Sequence, residues 1–381
     1  MKKIAIIGAG ISGLYLANLF KNDTNYQVTI FEKKNSIETN KGYGIQLSVN
    51  SVKLLNKIGL NSLTEEEKFN PKKIDFYEIR NSKKICDLEI SKFNFEDCKY
   101  TTLKRSTLLQ FLKNQLDGEM IKYNHSIDQI EYGKELINLI FDNHKITCDY
   151  LIISDGAFSK GKSLIFGNQT NPIYSDTVAI RGNISKENLK NLNEKNVSLF
   201  LGSDFHYVVY PLNKDEIFNF IGILKYKLNP SEKINHNLSD ENYFIESIKN
   251  KVFKKISPSV FENLQNIKLF PVFLSKYFYH PPKNIFLVGD AFFALSPSVA
   301  QGASQSIEGS YELYQSIINN NNDFHIKRFK RIKMINRRSN LNQFAFHLSN
   351  PFMIFLRNIS LKFLTKNKKF LEKYLGKIYK H

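Results

Sequence analysis

Gly8-Ala9-Gly10-Ile11-Ser12-Gly13 places three glycines at spacings that suit a diphosphate. The first permits a tight turn, the second lets backbone approach the phosphates, and the third lets a helix pack closely on a strand. The helix that begins behind them offers free N–H groups to the anion. Glu32, with Lys33 beside it, ends the next apolar run about 20 residues on, where a carboxylate accepts the hydroxyls of a ribose. An acidic group there disfavours a 2′-phosphate, so FAD or NAD fits the pattern better than NADP.

Two further pairs follow apolar runs. Asp155-Gly156 comes after Tyr150–Ile153 and is followed by Ser159; taken alone, such a pair is an ordinary turn. Gly289-Asp290 comes after Asn284–Val288, and Pro297 and Ala300-Gln301-Gly302-Ala303 then open a helix. An aspartate there can hold polyol hydroxyls, and the helix start turns a positive dipole end toward negative charge on a bound ring. His206 and Tyr210 lie four apart in a strand-like run, so both face one side. Either could exchange a proton with a phenol, and the pair could equally be aromatics on a sheet face. Arg181 could hold a substrate carboxylate, or serve as a structural or cofactor-neighbouring arginine.

The elements that must position these residues are readable in outline. Lys3–Ile7, Ile11–Phe20 and Gln27–Phe31 form a strand–helix–strand unit, which calls for a parallel sheet. Helices are expected over residues 51–60, 103–116 and 303–318, and buried strands over 150–153 and 284–288. Alternating strand texture covers Phe69–Phe95 and returns from Asn171 to Phe273. The organisation expected is a discontinuous nucleotide-binding domain (1–70, 101–170 and 271–325), a β-rich substrate domain (71–100 and 171–270), and C-terminal basic helices (326–381).

The 381 residues are 42% apolar and 24% charged, the composition of a folded chain. There is no Trp, and Cys86, Cys98 and Cys148 form neither a CxxC pair nor a Cys/His cluster. Metal and dithiol chemistry are therefore not expected, and a reducing, cytoplasmic setting is. Met1-Lys2-Lys3 and the apolar run after it resemble a leader, but Gly8, Gly10 and Gly13 break that run. Lys and Arg number 54 against 36 acidic residues, a net charge of +18. Nucleic acid, an anionic membrane or acidic small molecules would suit that balance, as would a compositional bias toward Asn, Lys and Ile. No nucleic-acid recognition module accompanies the charge. The tail carries Lys327-Arg328, Lys330-Arg331, Lys333 and Arg337-Arg338, then Phe352, Phe355, Leu356, Ile359 and Phe363 beside Lys362, Lys366, Lys368 and Lys369. An amphipathic basic helix of this kind can lie at an anionic interface.

The three glycine and aspartate motifs, in this order, resemble the single-component flavoprotein monooxygenases of the p-hydroxybenzoate hydroxylase fold. Gly44-Ile45-Gln46-Leu47-Ser48-Val49-Asn50 is similar to the segment before that family's next helix. Leu103-Lys104-Arg105-Ser106 is similar to the one whose arginine reaches the flavin, here Arg105. Within the family, Val178–Gly182, His206–Pro211, Ala300–Glu308 and Arg337–Pro351 look most like the salicylate hydroxylase and 6-hydroxynicotinate monooxygenase branch.

The resemblance implies an α/β fold: a Rossmann-like FAD-binding domain, an inserted β-sheet substrate domain and C-terminal helices packed on the body. It implies non-covalent FAD, NADH or NADPH as a transient co-substrate, and O2. A small, aromatic substrate would be hydroxylated through a flavin hydroperoxide by a monomer or homodimer. The Lys41–Gly44 loop and the Pro297–Gly302 turn would frame the flavin ring. Two positions depart from the pattern: Phe293 stands where the family has a histidine, and Lys162 where an arginine ends the second motif. These leave open a flavin-binding protein without hydroxylase turnover, and the basic tail leaves open a membrane-associated quinone- or isoprenoid-ring hydroxylase.

Overall fold

The β-branched run ahead of Gly8 forms strand β1, Lys2–Ile7, buried from Ile4 onward. Helix α1, Ile11–Phe20, crosses back and strand β2, Tyr26–Phe31, pairs with β1 in parallel. Tyr150–Ile153 and then Ile285–Leu287 add to the other edge of β1, also in parallel, and Ile121–Lys122 adds beyond β2. The Gly8, Asp155 and Gly289 motifs therefore leave the carboxyl ends of three adjacent strands. In an open parallel sheet this is the edge at which ligands bind. The computed structural model describes residues 1–38, 43–133, 136–142, 144–189, 192–214, 217–234, 238, 241–255 and 262–379. Lys41 and Gly42, expected to frame a ring, lie outside them.

A second sheet has seven strands, in the order 264–274, 173–185, 217–225, 205–211, 197–202, 73–78 and 84–89. Its neighbours pair antiparallel except Val197–Gly202 and Lys73–Glu78, which pair in parallel. Alternation along Phe205–Pro211 divides its side chains between two faces. Phe205, Tyr207 and Val209 join an apolar core with Phe200, Phe220 and Phe244, while His206, Val208 and Tyr210 line a cavity on the other side. The expected shared face of His206 and Tyr210 is thus present.

The long helices after the parallel sheet are α2, Gly302–Ile318; α3, Phe324–Phe346; and α4, Pro351–Leu364. Among the described residues no helix is long and apolar enough to cross a membrane. The tail does not present a uniform basic stripe, because Arg328, Arg331 and Arg357 are buried. Glu308, at 2% exposure, accepts from Arg328 Nη1 at 2.9 Å, Arg331 Nε at 2.6 Å and Asn50 Nδ2 at 2.5 Å. Arg331 also donates to the backbone carbonyls of Lys377 and Ile378, which ties down the last helical turn.

Removing one partner of a buried ion pair leaves the others desolvated and uncompensated. Glu308→Gln is expected to lower the unfolding free energy by about 3–5 kcal/mol in urea titration. A loss below about 1 kcal/mol would mean that the network contributes little net stability.

Candidate active site

The three motifs touch one another through their backbones. Gly8 has φ +101°, and a methyl group there would stand 2.8 Å from both Asp155 Cα and the Ser154 carbonyl oxygen. Gly289 has φ +61°, and a methyl group there would lie 2.2 Å from Ser12 Oγ. Gly10 is different: its φ of −81° suits any residue, and a methyl group would meet nothing within 4 Å. No internal contact calls for glycine there, and the open space lies at the start of α1, beside half-buried Ile11. Glu32 accepts the Ala9 N–H at 2.8 Å and the Lys34 N–H at 3.1 Å, which holds its carboxylate against the loop. Lys33 points to solvent.

A ring of charge surrounds the carboxyl edge. Asp155 Oδ2 accepts the Gly161 N–H at 2.9 Å, while buried Oδ1 has no partner among the described residues. Burial pushes the Asp155 carboxyl up. Lys162 is 2% exposed; burial lowers its ammonium and the charges of Asp155 and Asp290 raise it. Asp290 is reachable by water, yet desolvation drives its carboxyl up against the pull of Arg105 and Lys162. Both hold because it lies in an open cleft ringed by protein. Arg105, likewise accessible, is lowered first by desolvation and then by Arg181, with Asp290 opposing. Three cations thus face two carboxylates, a net positive edge suited to phosphates.

Beside this edge lies a mainly apolar cavity of about 800 Å³, within the range of small-molecule sites. Asp290, Pro297, Gly302 and Ala303 line it from the motif side, and Arg181, His206 and Tyr210 from the seven-stranded sheet. Gly302 opens α2 with no neighbour within 4 Å of an added methyl group, while Gln301 is buried between Ser48 and Gln305 and serves packing. Half-buried Arg181 donates to the Gly44 carbonyl at 3.4 Å and lies over the Tyr43 ring. Gly44 packs against Asn219, which accepts its N–H at 2.6 Å.

Tyr210 is buried, and burial raises its phenol far more than Arg181 and Gln46 lower it, so it is a protonated donor at neutral pH. Gln46 also accepts from Tyr100 at 2.5 Å. Gln46, Tyr100 and Asn219 had no assigned role in the sequence; only strand register brings them to Tyr210. His206 Nδ1 lies 2.8 Å from His347 Nε2, so one ring donates and the other accepts. His347, which no sequence motif singles out, is the partner of His206. Phe293 is buried and stacks on Phe278 at 4.2 Å, which places the residue standing for the family histidine in an aromatic core.

Residues 1–322 match the family model described as FAD binding domain. The chain belongs to that family. This FAD-binding chain is 24% identical over 226 residues to a 3-amino-4-hydroxybenzoate 2-monooxygenase of Streptomyces platensis, covering 58% of this chain and 56% of that one. It is also 24% identical over 245 residues to a salicylate hydroxylase of Pseudomonas putida, covering 60% and 55%. It thus spans about half the length of these curated relatives in the matched stretch. In fold it is similar to HpxO of Klebsiella pneumoniae, solved with FAD and uric acid, at a TM-score of 0.84 and 15% identity, covering 99% of this chain and 97% of that one. The parallel sheet, second sheet and C-terminal helices are those the sequence resemblance implied. The residues present fit FAD: the space at Gly10, the seated Glu32, the orphaned Asp155 oxygen and the net positive edge suit its pyrophosphate, ribose and polar chain.

If Gly10 is kept for ligand approach, Gly10→Val leaves urea unfolding of the flavin-free protein unchanged and weakens FAD binding about tenfold or more in fluorescence titration. Unchanged affinity would remove the loop from the FAD site. The histidine pair predicts a pH effect. Burial lowers His347 from 6.5 to about 4 and holds His206 well below its ordinary value. The unfolded chain therefore takes up protons first, and stability present above pH 6.5 is lost as pH falls toward about 4. A His206→Gln/His347→Gln variant should show a shallower decline of Tm across that window.

Proposed function

We propose that the protein is an FAD-dependent monooxygenase that uses NAD(P)H and O2 to hydroxylate a small aromatic compound. The observation that carries this reading is the single cavity shared by Asp290, Pro297 and Gly302 of the FAD edge and by Arg181, Tyr100 and Tyr210 of the sheet. On this reading residues 1–70, 101–170 and 271–325 bind FAD, and 71–100 and 171–270 carry the substrate wall. Gly8, Gly10, Ile11, Ser12 and Gly13 hold the pyrophosphate and Glu32 the ribose. Asp155, Gly156, Gly289 and Asp290 approach the linking chain. Three free cysteines suit a cytoplasmic setting.

Bound FAD supplies hydride acceptance from NAD(P)H and the activation of O2. The chain supplies orientation and a dry enclosure. Ile74, Phe76, Leu199 and Val208 exclude water beside the ring. Tyr210 donates its phenolic proton to a substrate oxygen, and the Gln46 amide, held by Tyr100, fixes that phenol. Arg181 sits within electrostatic reach of both Tyr210 and Arg105, so it offers positive charge between substrate oxygen and FAD. The relatives named above act on aminohydroxybenzoate and salicylate, rings whose polar edge such a set would hold.

The FAD-loaded protein should oxidise NADH or NADPH faster with a phenolic substrate, and Tyr210→Phe should lower kcat by about 10²-fold or more with FAD affinity unchanged. Protein that takes up no FAD at micromolar concentration contradicts the reading. Full turnover in Tyr210→Phe would reduce that residue to packing.

A further inference from the structure

Helix α4 is apolar on two sides: Leu361 and Leu364 face the body and the cavity, and a second stripe faces away. In a helix on a soluble body the apolar stripe faces the core, but here Phe352, Phe355, Leu356, Ile359 and Phe363 fall on one stripe and face outward. Phe352, Phe355 and Phe363 are 66%, 60% and 72% exposed. Beside Leu361 the inward side carries buried Arg357, which donates to the Ala345 carbonyl at 3.3 Å and to Asn358. Leu341 and Phe344, near the end of α3, are exposed as well.

Charge is concentrated around this stripe. From Phe324 to His381 the chain has fifteen Lys and Arg and one carboxylate, Glu372; of the fifteen, Arg328, Arg331 and Arg357 are buried, the first two against Glu308. A compositional bias would spread evenly and does not account for that. Lys362, Lys366, Lys368 and Lys369 are exposed, and none has a salt bridge among the described residues. Leu341, Met353 and Leu356 are at once exposed and part of the cavity wall, so the cavity reaches the surface at this stripe.

We propose that the outer face of α4, with Leu341 of α3, docks onto the surface of an anionic phospholipid bilayer. Resting on the function proposed above, we take the substrate to be a lipophilic aromatic compound that enters from the bilayer past Met353 and Leu356. An apolar stripe flanked by lysines matches both layers of such a surface, the acyl boundary and the anionic headgroups. A second copy of the chain fits poorly, since pairing the two faces would bring lysines together without carboxylates. A protein partner seated here would stop the cavity opening that the bilayer would supply.

The test uses the FAD-loaded full chain and phosphatidylcholine vesicles with or without phosphatidylglycerol. Cosedimentation with the anionic vesicles is expected, weakening as salt is raised. Lys362→Gln/Lys366→Gln should weaken it about 25-fold, about fivefold for each lysine. Phe352→Ser/Phe355→Ser/Phe363→Ser should abolish it with Tm retained. A long-chain alkylphenol delivered in those vesicles should stimulate NADH oxidation by wild type but not by the Phe variant, while a short soluble phenol serves both alike. Absence of wild-type cosedimentation, or cosedimentation unaffected by either variant, overturns the proposal. So does a dimer in ultracentrifugation that the Phe variant dissociates. Vesicle binding without alkylphenol stimulation, in protein that turns over soluble phenols, overturns the substrate assignment. Protein that binds vesicles but hydroxylates nothing refutes the functional reading and leaves the docking face standing.

Discussion

The buried carboxylate of Glu308 joins parts of the chain that no sheet connects. A charge at that depth is tolerable only if several donors surround it. Asn50 from one helix and Arg328 and Arg331 from α3 meet that demand, and Arg331 passes the constraint on to the carbonyls of Lys377 and Ile378. The helix of Asn50 follows Gly44–Leu47, whose Gly44 and Gln46 form cavity wall. Helix α2 opens at Gly302 on the cavity, and α3 ends at Phe346 and His347 against His206. The position of the C-terminal helices over the cavity therefore follows from an electrostatic requirement rather than from apolar packing alone.

The FAD edge obeys a steric rule instead. Three glycines at positive φ, Gly8, Gly156 and Gly289, let three strand ends meet closely. This is why those motifs could be read directly from the sequence: each requirement is local to a few backbone atoms, and glycine alone meets it. The strand–helix–strand start was readable for a similar reason, since its apolar periods are short and adjacent.

The cavity's polar groups resisted such reading because they depend on register between distant strands. Tyr210 meets Asn219 through the pairing of Phe205–Pro211 with Ile217–Lys225, and Gln46 meets Tyr100 from a different part of the chain. His347 looked like any other histidine until the end of α3 docked on the turn at Asp204, whose N–H donates to the His347 carbonyl. Arg328 and Arg331 share the spacing of exposed Lys327 and Lys330, and only the buried Glu308 separates their fates. Phe293 departs from the family residue, yet its packing on Phe278 shows a position converted to apolar core rather than a weakened polar site.

The protonation pattern around the cavity follows from burial of the same walls. Desolvation keeps Tyr210 a phenol and the His206–His347 pair neutral, so neither changes charge near neutral pH. Cationic charge comes instead from Arg181, Arg105 and Lys162. On the function proposed above, placement would then carry the chemistry: a fixed phenol donor, the guanidinium of Arg181 and an apolar wall that keeps water from competing.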